Sequence, residues 1–128
     1  MTPYGSFDNQ GNADVLAMSA SADQSEQVGM KKAVTPVVQM LQGKWKLQIL
    51  YELCIKCPMR FGELKKVLKP ITNTALTNAL KELEADELVQ RIQYNEMPLR
   101  VEYSLTEKGR DLLPVFYAIS QWGMKYIP

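Results

Sequence analysis

The 128-residue chain contains no histidine. Imidazole is thereby removed from every catalytic and metal-binding scheme, and neither a Ser-His-Asp nor a Cys-His nucleophile can be assembled within it. Most hydrolase chemistry fails on that absence. Cysteine is scarce as well, at two residues. No apolar run approaches the roughly 20 residues that span a bilayer. The first 30 residues have neither the basic start nor the continuous apolar segment of a secretory signal. From these absences we expect no catalytic residue, no metal, no cofactor, no membrane contact and a cytoplasmic location.

Basic residues are missing from residues 1–30, which carry Asp8, Asp14, Asp23 and Glu26 and so a charge of −4. With a net charge of +1 over the whole chain, the remainder is +5. The imbalance is denser within residues 56–81, where Lys56, Arg60, Lys65, Lys66, Lys69 and Lys81 stand against Glu63 alone. That is either a solvated basic face or the electrostatic footprint of a polyanion partner. Its position decides between these, as described below.

Hydrophobic content of 46% supports one core, and the length suits one domain with a tail. Residues 1–30 are rich in Ser, Ala, Gly, Asn, Asp and Gln without a sustained period, and are expected to be a disordered acidic tail that admits a short helix around residues 13–20. Residues 31–128 form the expected domain. Val34, Val37, Val38 and Leu41 mark a short helix ending at Gly43, the residue suited to a left-handed stop. Trp45, Ile49 and Leu53, with Leu50 and Cys54 beside them, mark a second helix that ends by Pro58. Phe61, Leu64 and Val67 or Leu68 mark a third, stopped near Lys69 and Pro70.

The next stretch, residues 71–109, carries most of the functional information. Leu76, Leu80 and Leu83 repeat at helical spacing, with Thr72 placed to cap the first turn. Thr74, Thr77, Asn78 and Lys81 fall roughly opposite the leucines and offer hydroxyls, a carboxamide and one cation, groups suited to base edges and phosphates. Two runs of period 2 follow. In residues 88–94, Leu88, Ile92 and Tyr94 share a parity. In residues 100–105, Val101, Tyr103 and Leu105 do. Pro98, which cannot donate a ladder hydrogen bond, makes residues 95–99 a hairpin tip. Thr106 and Glu107 then open a last helix with Leu112, Phe116, Ile119 and Tyr126 on one side and Val115 and Trp122 nearby. Pro114 predicts a kink or a restart within it. The expected fold is mostly α with a small β-hairpin: a winged helix-turn-helix, whose polar-faced helix enters the major groove and whose wing lies along a neighbouring groove or backbone.

The aromatic terminal segment either covers its own core or forms a dimer seam with the helix of residues 34–41. In the dimer reading the seam residues are Val34, Val38, Leu41, Phe116, Ile119, Trp122 and Tyr126. Cys54 and Cys57 have CxxC spacing but fall at a helix end, where the dipole disfavours a thiolate. Three readings stand: a buried Cys54 with an incidental Cys57, a redox-active thiol sensor, or half of a zinc site completed by a second subunit.

Gly43-Lys44-Trp45, Arg60-Phe61-Gly62-Glu63-Leu64, Leu76-Thr77 followed by Leu80-Lys81-Glu82-Leu83-Glu84, and Arg100-Val101-Glu102-Tyr103-Ser104-Leu105-Thr106-Glu107-Lys108-Gly109 closely resemble blocks of the HxlR family of bacterial winged-helix (MarR-like) regulators. The similarity covers about residues 34–127. It implies a homodimer held by its first and last helices that binds an operator and regulates nearby genes. Three positions depart from the family pattern. Lys32 stands about where many members carry a sensing cysteine, so that mechanism does not carry over. Thr74 stands where Lys or Arg is common. Glu87 stands where Gly usually precedes the wing; a left-handed backbone there would cost a non-Gly residue about 1 kcal/mol.

The leading expectation is a dimeric, sequence-specific transcriptional regulator partnered by double-stranded DNA and by a second copy of itself, with an unidentified effector. Asn73, Thr74, Thr77 and Asn78 face base edges, Arg60, Lys65 and Lys81 hold phosphates, and Arg100 anchors the wing. Two other classes compete. One is a winged-helix protein-interaction module that reads no DNA, favoured by the acidic run Glu82, Glu84, Asp86 and Glu87. The other is a thiol protein using Cys54 and Cys57.

Overall fold

Residues 23–128 are described by a computed structural model of the chain. They comprise α1 (Gln24–Leu41), α2 (Lys46–Ile55), α3 (Phe61–Val67), α4 (Asn73–Ala85), β1 (Val89–Tyr94), β2 (Arg100–Leu105), α5 (Glu107–Arg110) and α6 (Leu113–Tyr126). Among the described residues, contacts group Leu41–Leu113 into one compact unit and residues 23–40 and 114–128 into another.

The central unit is built on leucine. Ile49, Leu50 and Leu53 of α2, Leu64 of α3 and Leu76, Leu80 and Leu83 of α4 are almost fully buried, so each helix turns one apolar stripe inward, as the 3.6-residue period requires. Leu68 is buried while Val67 is half exposed, which settles the end of the third stripe. Burial of each such side chain stabilises the fold by roughly 1.5–3 kcal/mol. Gly43 has φ of 118°, the positive angle expected of the residue that separates α1 from α2.

Thr72 caps α4 as its position predicts: its Oγ1 accepts from Ala75 N–H at 3.1 Å. The other end closes with two reverse bonds, Glu87 N–H to Glu84 O at 2.9 Å and Leu88 N–H to Leu83 O at 3.0 Å. This Schellman arrangement needs a left-handed residue between them, and Glu87 supplies it at φ 60°. The family glycine position is thus left-handed here without its glycine. The carbonyl released at this corner is tied down by the next helix. Thr106 Oγ1 donates to Glu87 O at 2.5 Å while accepting from Gly109 N–H at 3.0 Å. Lys108 Nζ donates to Asp86 O at 2.8 Å. Gly109 is required by this packing, because a Cβ there would collide with the Leu88 carbonyl.

The hairpin pairs β1 antiparallel to β2 with Val89 opposite Leu105, Arg91 opposite Tyr103 and Tyr94 opposite Arg100. Cross-strand partners share a face. Val89, Tyr103 and Leu105 are buried on one side, so the β1 parity of Ile92 and Tyr94 lies on the other, with Glu102 and Arg100. A contact not anticipated from periodicity adds a third chain segment: Met59 exchanges backbone bonds with Tyr103 at 2.9 and 2.7 Å. It anchors the segment before α3 to the wing.

In the second unit, α1 begins at Gln24, so residues 24–30, expected to belong to a disordered tail, are helical. A helix around residues 13–20 lies outside the described residues. Pro36 stands within α1 and removes one of its backbone donors. The last helix restarts as Pro114 predicts: α5 stops at Arg110 and α6 begins at Leu113, placing Pro114 in the first turn, where its missing N–H costs nothing. Among the described residues, no helix is long and apolar enough to cross a membrane.

Candidate nucleic-acid interface

The leucine stripe of α4 fixes what its outer face can do. With Leu76, Ala79, Leu80 and Leu83 inward, Asn73, Thr74, Asn78 and Lys81 are exposed and Thr77 is half-buried. Among the described residues none of these side chains has an intramolecular hydrogen bond or ion pair. Thr77, in particular, does not bond its own helix backbone. A row of unengaged amide, hydroxyl and ammonium groups on a capped helix leaves donors and acceptors available to an external partner.

The surrounding charges are sorted by their partners. Lys56 donates to Glu63 at 2.8 Å. That ammonium first, and then the Arg60 backbone N–H, hold the Glu63 carboxyl below its ordinary value. Lys46 binds Glu82 at 3.0 Å, which removes part of the acidity expected at the end of α4. Arg60 and Lys81 are exposed, and Lys65 is half-buried.

Arg100 is placed differently from the expectation of a wing anchor. Its Nη2 lies 3.0 Å from Glu96 and its Nη1 3.7 Å from Glu102, and the guanidinium stacks 3.9 Å over the Tyr94 ring. Two carboxylates and an aromatic face surround it, so it braces the hairpin internally. The exposed guanidinium of the wing belongs to Arg91, which bonds Gln93 Oε1 at 3.3 Å. Sequence reasoning passed over Arg91. Its parity, opposite to that of Tyr94, was the available signal; the acids that engage Arg100 are Glu96, four residues before it, and Glu102, two residues after it on the same strand.

The two cysteines are not joined by a disulfide. Cys54 lies on the last turn of α2, half-buried, and burial first, then the neighbouring Cys57 charge, push its thiol up to about 11. Cys57 is exposed beyond the helix. Both are free thiols. Of the seven residues expected in a dimer seam, Val34, Val38, Ile119, Trp122 and Tyr126 are exposed, at 54–60%. Leu41 and Phe116 are buried within the chain, at 8% each, and have little surface left for a partner.

The geometry is therefore that of a winged helix: a helix-turn-helix with its second helix polar outward, followed by a two-stranded hairpin. The family described as HxlR-like helix-turn-helix matches residues 40–128.

The chain belongs to the HxlR family. It is 45% identical over 87 residues to the HTH-type transcriptional regulator YdzF of Bacillus subtilis (strain 168), an alignment covering 68% of this chain and 80% of YdzF. Among solved structures it matches the redox regulator HypR in its oxidized form, with TM-score 0.69 and 38% identity over 75% of this chain and 98% of HypR. The reduced form of the transcriptional regulator YodB from B. subtilis matches with TM-score 0.67 and 33% identity, over 73% of this chain and 90% of YodB. This HxlR-family protein is a transcriptional regulator with a DNA-binding winged helix-turn-helix domain. Its relatives are regulators, not enzymes.

Proposed function

We propose that the protein acts as a homodimer that reads a specific operator, with α4 in the major groove of each half-site. The observation that carries this reading is the unengaged outer face of α4. Asn73, Thr74, Thr77 and Asn78 address base edges, where carboxamides pair with adenine and hydroxyls serve either base type. Arg60, Lys65 and Lys81 hold phosphates and set the register. Arg100 acts indirectly, by holding the wing in shape through Glu96, Glu102 and Tyr94, and Arg91 is the wing cation that meets the duplex. Dimer formation is supported by the exposed Val34, Val38, Ile119, Trp122 and Tyr126, an apolar surface that a solitary soluble chain rarely leaves uncovered. The raised thiol of Cys54 favours a structural role for the cysteine pair over a thiol switch.

The test is a binding titration of the full chain on duplex from its own upstream region and on random duplex, at two salt concentrations. Lys81→Ala is expected to weaken binding to all sequences and to lower the salt slope by about 1, whereas Asn78→Ala relaxes discrimination by roughly 1–3 kcal/mol at one position. Equal affinity for upstream and random duplex would instead support an interaction module that reads no sequence.

A further inference from the structure

Beside the start of α4 lies an open cleft of about 240 Å³ lined by Gly62, Lys65, Lys66, Lys69 and Ile71. Three lysines line it, their aliphatic stems forming its walls with the buried Ile71. Lys66 and Lys69 belong to the basic run of residues 56–81, but neither has yet been given a contact of its own. Their surroundings are unusual for surface lysines. Glu63 is the sole acid within residues 56–81, and it is engaged by Lys56 at 2.8 Å and by the Arg60 backbone N–H at 3.1 Å. Among the described residues, Lys65, Lys66 and Lys69 form no ion pair. Like charges gathered around one concavity disfavour one another, and an anion held between them would relieve that.

We propose that this cleft is a phosphate-binding site, and that the phosphates it takes belong to the backbone of the duplex whose groove α4 enters. The inference rests on the operator-binding reading above and extends its footprint. Two observations favour duplex phosphates over a free phosphorylated molecule. The cleft is open, and it carries lysines and a glycine with no side chain shaped to select a small ligand. It is also tied to the recognition helix: from Lys69 to Asn73 the chain spans at most about 14 Å. That short tether places the phosphates held at the cleft on the strand close to the bases addressed by Asn73. The cleft thus acts as a clamp on the strand flanking the read bases.

The experiment compares the salt dependence of operator binding for the full-length wild type, K66A/K69A, K66R/K69R and N78A. Each phosphate contact contributes about 0.9 to the slope of log K against log salt. K66A/K69A should lower the slope by about 2 and weaken binding equally on all duplexes, K66R/K69R should retain the wild-type slope, and N78A should retain the slope while shifting sequence preference. Both lysines are exposed, so the double variant should keep its thermal melting point, and circular dichroism checks this. Wild-type binding with an unchanged K66A/K69A slope overturns the cleft assignment and leaves operator binding intact. Absence of duplex binding by the wild type overturns both. In a parallel arm, wild type is titrated with inorganic phosphate alone and followed by NMR. Saturable shifts at Lys66 and Lys69 together with an unchanged K66A/K69A slope would assign the cleft to a free phosphorylated ligand instead.

Discussion

The central unit and the terminal helices treat apolar surface in opposite ways. From Ile49 to Leu105 nearly every large aliphatic residue facing inward is below 5% exposed, whereas Val34, Val38, Ile119, Trp122 and Tyr126 of α1 and α6 remain more than half exposed. Composition differs too, leucine dominating the central unit while the described residues of the terminal unit carry valine, isoleucine and aromatics and no leucine, but both regions are apolar enough to bury a stripe. The difference that matters is closure. The central leucines meet partners supplied by α2, α3, α4 and the hairpin within one chain, while the terminal stripes stay more than half exposed. An open stripe is costly to keep in water, at roughly 25 cal/mol per Å², and a second copy is the partner we propose.

The comparison is broken most forcefully from the closed side. Leu83→Ala removes a fully buried side chain and should cost about 2–5 kcal/mol, read by urea unfolding. Val38→Ala, truncating a side chain 56% exposed, should cost well under 1 kcal/mol in a dissociated chain. Equal losses in the two variants would dissolve the distinction.

Gly109→Ala comes next. Its Cβ would meet the Leu88 carbonyl, so α5 must shift from the corner that closes α4, at about 1–3 kcal/mol, visible as a lower melting temperature. On the open side, Trp122→Asp should leave the central unit folded and shift the oligomer to single chains, as sedimentation would report. A dimer indifferent to Trp122→Asp and to Ile119→Asp would remove α6 from the seam. Glu87→Gly should raise stability by about 1 kcal/mol, because the left-handed backbone at φ 60° no longer carries a side chain. No gain there would mean that glycine's extra freedom in the unfolded chain cancels the relief.

The smallest effect concerns Cys54. A thiol raised from its ordinary 9.0 to about 11 stays protonated in the fold after it would ionise in the unfolded chain. Its contribution to stability is therefore unchanged below about pH 9 and falls as pH rises between 9 and 11. Alkylation of folded Cys54 should be slow near neutrality and reach half its limiting rate near pH 11. A rapid reaction at pH 7 would return the cysteine pair to the list of working sites.

Local pattern made much of this molecule legible before any fold was in hand. The spacing of Leu76, Leu80 and Leu83 exposed the face opposite them, Thr72 and Thr106 announced helix starts, Gly43 and Pro114 marked a stop and a restart, and Pro98 placed the hairpin tip. Each depends on residues within a turn or two of one another, where backbone geometry alone decides. The strand parities were legible too, but the faces they occupy were not, because the register between β1 and β2 belongs to neither strand separately.

Tertiary structure decided the rest, for reasons of distance along the chain. Arg100 is the local exception: Glu96, Glu102 and Tyr94 lie within six residues of it, and the folded hairpin decides only that its guanidinium turns to them. Leu41 and Phe116 belonged to a seam until their burial was seen. Met59 had no role until it met Tyr103, 44 residues away in sequence. Period and capping arise from short-range sterics and hydrogen bonding, so the order of residues suffices to reveal them. Which charge is neutralised and which apolar side chain is already covered depend on neighbours that only the folded chain brings together.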